Sequence, residues 1–206
     1  MTGTTDPQEG RVRAKVERER AGRRAARLRR VVTAGIAVAA VVIVAILGVQ
    51  IGRKASGGIA WQGSPRQGGN IASLTMPALG GDGTISYDRF RDKPLVINFF
   101  ASWCPNCVAE MPGFQQVHVQ LHDKVNFLGV SNNDPEGASL ALVAKTGVTY
   151  ALGVDAHGTL FNATGSLGMP TTLFIAPGGS VVQSYTGAMT PDQLLQLIER
   201  DFGIRA

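Results

Sequence analysis

The sequence predicts an α/β fold, a central mixed sheet flanked by helices, standing behind one apolar membrane span. Two continuous apolar runs, KPLVINFF (Lys93–Phe100) and VNFLGVS (Val125–Ser131), have the make-up of strands buried on both faces. Helical stretches separate the strand signals, as in a sheet covered on both sides. TTLFIAPGGSVVQSYTG (Thr171–Gly187) joins two β-rich runs at Pro177-Gly178-Gly179, which sets an antiparallel hairpin at one end of the sheet.

The chain has 206 residues and divides its charge unevenly. Residues 1–30 hold 10 Lys+Arg against 4 Asp+Glu, while the rest holds 10 against 11, so the basic character belongs to the tail. Such a tail alone suggests phosphate contacts with nucleic acid. Residues 31–51, VVTAGIAVAAVVIVAILGVQI, redirect that reading. They carry no charge and match the roughly 20 residues that cross a hydrocarbon core as a helix. Only Arg53 and Lys54 follow closely, so the positive-inside rule predicts a cytoplasmic tail over 1–30, and nucleic-acid binding by that tail becomes a poor second reading. The expected location is the cell membrane, single-pass, with an extracytoplasmic C-terminal domain. A cleaved leader is the competing reading. Its apolar region would be shorter, about 7–15 residues, although Ala55 to Gly58 offer small residues for cleavage. Residues 52–70 contain six glycines, with Trp61 among them, and read as a flexible linker. Residues 71–206 form the folded domain.

Within that domain, Pro135 to Lys145 reads as a helix, and ALGVDAHGTLFNATG as a short strand followed by a short helix or turn. His157 falls in the turn DAHGT. The final segment opens with Thr190-Pro191-Asp192-Gln193: a capping residue, a proline at the first helical position and a Gln for a capping box. Leu194, Leu195, Ile198 and Phe202 then form one apolar face. His118 and His122 stand four apart on a helix, but two ligands fall short of a metal site, and they read as a solvated face.

NFFASWCPNCVAEMP (Asn98–Pro112) holds the only two cysteines of the chain. A structural disulfide stabilises most when it closes a long loop, and Cys104 and Cys107 enclose almost nothing. A zinc knuckle needs four ligands, and no second pair exists. Redox chemistry is what this spacing serves, since the two thiols can form and break a bond with little backbone movement.

These residues resemble the thioredoxin fold, and more closely its membrane-tethered TlpA/ResA-like thiol–disulfide oxidoreductases. ASWCPNC is similar to the family's entry into its first long helix, and Pro112 stands where these proteins place a proline inside that helix. GMPTTLFIAPGG (Gly168–Gly179) resembles the cis-proline loop, strand and turn, and Glu110 falls where TlpA/ResA-like members commonly carry glutamate. Residues from about Asn132 to Leu167 resemble the insertion that separates this branch from plain thioredoxin, and MPALGGDGTISYDRF its N-terminal hairpin. One departure is Asn98, six residues before Cys104, where plain thioredoxins have a buried aspartate. An amide cannot take a proton there, which leaves Glu110 as the carboxyl for that task, with Asn98 read as a core amide.

The resemblance implies a thioredoxin-like fold and a redox disulfide between Cys104 and Cys107. Placed at a helix N-terminus, Cys104 is the expected nucleophile, its thiolate favoured by unpaired backbone N–H groups, and Cys107 resolves the mixed disulfide. Glu110 is the expected proton donor or acceptor. Trp103, Pro105, Asn106 and Met169, with a cis Pro170, are expected to meet the substrate. No cofactor and no metal are called for. The implied partners are protein thiols or disulfides and a membrane redox partner that supplies or accepts electrons. The implied work is disulfide exchange, with reduction of apocytochrome c in cytochrome c maturation as one use and introduction of disulfides into secreted proteins as the alternative. A Sco-like copper chaperone is the reading from another class, although its cysteines are normally spaced one residue wider. A peroxidase would place Thr three residues before its cysteine, where this chain has Ala101.

Overall fold

The computed structural model describes residue 59 and residues 64–206. The tail expected over 1–30, the span expected over 31–51 and most of the 52–70 segment, Trp61 included, lie outside the described residues. Among the described residues no helix is long and apolar enough to cross a membrane.

A five-stranded sheet has the order β5-β4-β3-β6-β7, built from β3 (Leu95–Phe100), β4 (Asn126–Asn132), β5 (Ala151–Asp155), β6 (Thr171–Ile175) and β7 (Val181–Thr186). β3, β4 and β5 run parallel, while β6 is antiparallel to β3 and β7 to β6. The sheet is therefore mixed, with the expected hairpin at one edge. A separate two-stranded ribbon, β1 (Thr75–Pro77) with β2 (Thr84–Ser86), forms the N-terminal hairpin. Four helices follow in chain order: α1 (Pro105–Leu121), α2 (Glu136–Thr146), α3 (Thr159–Ala163) and α4 (Pro191–Phe202).

Every residue of β3 is buried, because both faces of the sheet are covered. On one face Val96 and Phe100 pack with Cys107, Met111, Phe114 and Val117 of α1, Leu142 of α2, and Leu194 and Ile198 of α4. On the other, Leu95, Ile97 and Phe99 pack with Met76 and Ile85 of the ribbon, Tyr87 and Phe90 of a 3-10 turn, and Leu160 of α3. Asn98 lies between Val96 and Phe100 in the alternation and so belongs to the α1 face.

Two close approaches set the packing around α1 and β5. A Cβ on Gly113 would stand 3.0 Å from Cγ of Pro191, so a glycine lets α1 and α4 meet there. A Cβ on Gly153 would stand 2.2 Å from Sδ of Met76, so the ribbon seats on β5 only over a bare backbone. The α4 N-terminus has the expected capping box: Thr190 Oγ accepts from Gln193 N–H, and the Gln193 side chain accepts from Thr190 N–H. Gly68 N–H donates to the Val181 carbonyl and Ile71 N–H to that of Gly179, each at 2.8 Å, which ties the entering chain to the β6–β7 hairpin.

Candidate active site

Cys104 and Cys107 form a disulfide, with their Cα atoms 5.3 Å apart. Cys104 has extended backbone angles and is the N-cap of α1, and Pro105 occupies the first helical position, where its missing N–H costs nothing. Cys104 Sγ accepts from Cys107 N–H at 3.2 Å. The helix N-terminus thus directs a backbone N–H at one sulfur, an arrangement that favours a thiolate once the disulfide opens. Cys107 points into the core and is completely buried.

The turn before Cys104 is held by groups from beyond β4. Asp134 accepts from Ser102 N–H at 2.8 Å and from Ser102 Oγ at 2.7 Å, one bond on each carboxyl oxygen. Ser139 Oγ donates to the same carboxyl at 2.6 Å and lies 2.6 Å from Ser131 Oγ. The Trp103 indole N–H donates to the Asn133 carbonyl at 3.2 Å, and Asn133 takes a left-handed φ of 47°, which Asn tolerates better than most residues.

Cys104 lines a groove of about 480 Å³. Trp103, Pro105 and Asn106 form one wall; the other comes from residues 157–169, with Asn132 and Asn133 between them. Trp103 and Leu167 are among the few large apolar side chains exposed on the described surface. The Met169–Pro170 peptide bond is cis, as the resemblance implied. Met169 lines the groove, and its Sδ receives Asn132 Nδ2 at 3.1 Å.

Glu110, one turn beyond Cys107 on the same inward face of α1, is 4% exposed. Asn98 Nδ2 donates to its Oε1 at 2.8 Å and Met189 N–H to its Oε2 at 3.1 Å. Burial pushes this carboxyl up to about 7, against the smaller opposing pull of the Asn98 and Met189 hydrogen bonds. Tyr150 is also buried, and burial, then repulsion from Glu110, pushes its phenol up. A neutral phenol therefore stands on this side of the acid.

Each of the eight residues expected at the site lies on or beside α1 or the cis-proline loop. Cys104, Trp103, Pro105, Asn106 and Met169 share the groove; Cys107, Glu110 and Pro170 are buried. The solvated face expected for His118 is corrected: its ring packs edge-on to Phe127 and Tyr150 at 5.4 and 5.5 Å, and burial lowers its pKa. His157 does occupy a turn, but that turn lines the groove. The sequence marks Asp134 and Asn132 only by a turn-rich run, NNDP, at the end of an apolar strand, and gives no signal for Asn162, which lies in α3 and lines the groove. Among the described residues no group of three or more His, Cys, Asp or Glu is placed to hold a metal ion.

The profile of the AhpC/TSA family matches residues 68–184. The chain is 26% identical over 135 residues to the thiol-disulfide oxidoreductase ResA of Halalkalibacterium halodurans, covering 65% of this chain and 76% of that one. It is 31% identical over 119 residues to the thiol:disulfide interchange protein DsbE of Pseudomonas fluorescens biotype C, covering 57% of this chain and 65% of that one. Among solved structures, a secreted Mycobacterium tuberculosis disulfide oxidoreductase homologous to E. coli DsbE superposes with a TM-score of 0.54 at 27% identity. It covers 60% of this chain and 92% of its own.

Proposed function

The chain belongs to the AhpC/TSA family, and we propose that it is a membrane-anchored, extracytoplasmic thiol–disulfide oxidoreductase that exchanges disulfides with protein substrates through Cys104 and Cys107. The observation that carries this reading is the asymmetry of the pair. Cys104 caps the helix and faces the groove, while Cys107 is sealed in the core.

The asymmetry assigns the steps. A substrate thiolate attacks Cys104 Sγ; the bond to Cys107 breaks, and Cys107 leaves with the electron pair and takes a proton from Glu110. A second substrate thiolate then attacks the substrate sulfur of the mixed disulfide and releases Cys104 as a thiolate held by the helix N-terminus. The substrate is oxidised and the pair reduced by two electrons. In the reductive direction the Cys104 thiolate attacks a substrate disulfide, Cys107 yields its proton to Glu110, and the Cys107 sulfur displaces the substrate. Trp103, Pro105, Asn106 and Met169 bound the substrate chain beside the sulfur, and Pro170 holds the Met169 backbone toward it.

One use of this exchange is reduction of apocytochrome c cysteines, with a membrane redox partner restoring the dithiol; introduction of disulfides into secreted proteins is the alternative, and both use the same two sulfurs. The full-length protein in detergent, assayed for insulin disulfide exchange, tests the reading. Cys104→Ser is expected to abolish turnover. Turnover equal to the parent's would overturn it.

A further inference from the structure

Asn98 is 1% exposed, and its two amide atoms have different surroundings. Nδ2 donates to Glu110, whereas Oδ1 has no hydrogen-bond partner among the described residues. The residue paired with it across the sheet is Thr172, also fully buried, whose Oγ1 likewise has no partner. A buried acceptor left unpaired costs about 1–3 kcal/mol. Its location beside an acid that must gain and lose a proton suggests a use for it.

A carboxylate only accepts hydrogen bonds, whereas a carboxylic acid also donates one. As a carboxylate, Glu110 is served by two donors, Asn98 Nδ2 and Met189 N–H. As an acid protonated on Oε1, it would face the Asn98 NH2 with an O–H, donor against donor. A half-turn of the Asn98 amide brings Oδ1 to the Glu110 O–H and moves Nδ2 to the opposite position. The carbon skeleton need not move. An aspartate at position 98 would instead set two acids against each other, and an apolar residue would serve neither state.

We propose that Asn98 is a positioning residue whose amide turns over as Glu110 gains or loses its proton, keeping this buried acid hydrogen-bonded in both states. The inference rests on the reading that Glu110 exchanges a proton with Cys107. In that step the Glu110 O–H bond breaks as the Cys107 S–H bond forms, and the amide turns with it. Because Glu110 meets a complementary Asn98 atom in both states, the proton can move in either direction at little cost. The opposing pull of Asn98 on Glu110 agrees with this. The other ionisable groups around the acid are Cys104 and Cys107 on its own helix and Tyr150, whose ring packs against His118. β3 and the buried residues Leu194 and Ile198 of α4 bring none.

The test is a pH titration of the full-length protein by NMR, following the Glu110 side-chain carboxyl carbon and the Asn98 side-chain NH2 together. The expected result is that the Asn98 NH2 resonances shift with the same midpoint as Glu110 and lose that transition in Glu110→Gln. In Asn98→Leu the Glu110 midpoint is expected to rise by about one pH unit or more, the loss of one donor to a charged group, and the pH profile of disulfide exchange to move with it. Asn98 resonances flat through the Glu110 transition would overturn the proposal in the parent protein, whether or not the variant folds. Exchange that persists with an unmoved profile in Asn98→Leu would overturn it too while leaving the oxidoreductase reading intact. Absence of exchange in the parent would sink that reading and this role with it.

Discussion

Asn98 Nδ2 donates to Glu110 Oε1 across 2.8 Å, joining the central strand β3 to the helix that carries both cysteines. Cys107, Glu110, Met111 and Phe114 all face inward on α1, and the acid stands one turn beyond the Cys107 sulfur. The consequences are both energetic and chemical.

The energetic one is a pH dependence of folding. Glu110 titrates near 7 in the folded protein against an ordinary 4.5, so between these values the folded state keeps a proton that the unfolded chain has released. Stability from this group is full below about pH 4.5 and declines as the pH rises through about 7. Glu110→Gln is expected to remove that slope and to be more stable than the parent at pH 8, by on the order of 1–3 kcal/mol. Urea denaturation at pH 5, 7 and 8 measures it.

The chemical one is a rate. Glu110→Gln leaves no proton to exchange with Cys107, and disulfide exchange at pH 7 should fall by about 10²-fold or more. Single-turnover kinetics with a peptide disulfide separate this slowed resolution from the first attack at Cys104, which should change little.

Asp134 should matter to the turn rather than to the proton. Its carboxyl takes three hydrogen bonds, two from Ser102 and one from Ser139. Asp134→Ala is expected to cost on the order of 2–4 kcal/mol. Amide hydrogen exchange should then show faster opening at Ser102 than in the α4 core.

Trp103 gives the opposite pattern. It is 56% exposed and holds the turn through a single indole hydrogen bond, so Trp103→Ala should cost about 1 kcal/mol or less. Its loss should raise KM for peptide disulfides with kcat little changed, as steady-state kinetics would show.

Much of this architecture was legible in the chain. Local signals produced it: the apolar run of β3, the Pro177-Gly178-Gly179 turn, the Thr190 capping box, and the cysteine pair set before a helix. The motif around Gly168-Met169-Pro170 placed the cis-proline loop by resemblance. What stayed hidden are contacts between distant segments. Nothing near Asn98 says that its amide meets a carboxyl twelve residues on, because that depends on how α1 rotates over the sheet. Asp134 bonds Ser102 across 32 residues, and nothing local marks that contact because its partner comes from another strand end. His118 was misjudged for the same reason: its helix position is at the surface, but Phe127 and Tyr150, from other elements, close over its ring.

The reduction potential of the pair bears on direction. With a neutral Pro105-Asn106 between the sulfurs, the expected value lies between those of thioredoxin, about −270 mV, and DsbA, about −120 mV. Equilibration against glutathione measures it; a value near the lower end fits the reductive role, and one near the upper end the oxidative alternative.

The central claim is that Cys104 attacks and Cys107 resolves. Incubating the full-length Cys107→Ser variant with a peptide disulfide and mapping adducts by mass spectrometry tests it most directly. The account predicts a stable mixed disulfide on Cys104, with Cys104→Ser forming none on Cys107. An adduct on Cys107 in that second variant, with Cys104 unmodified in the first, would contradict it.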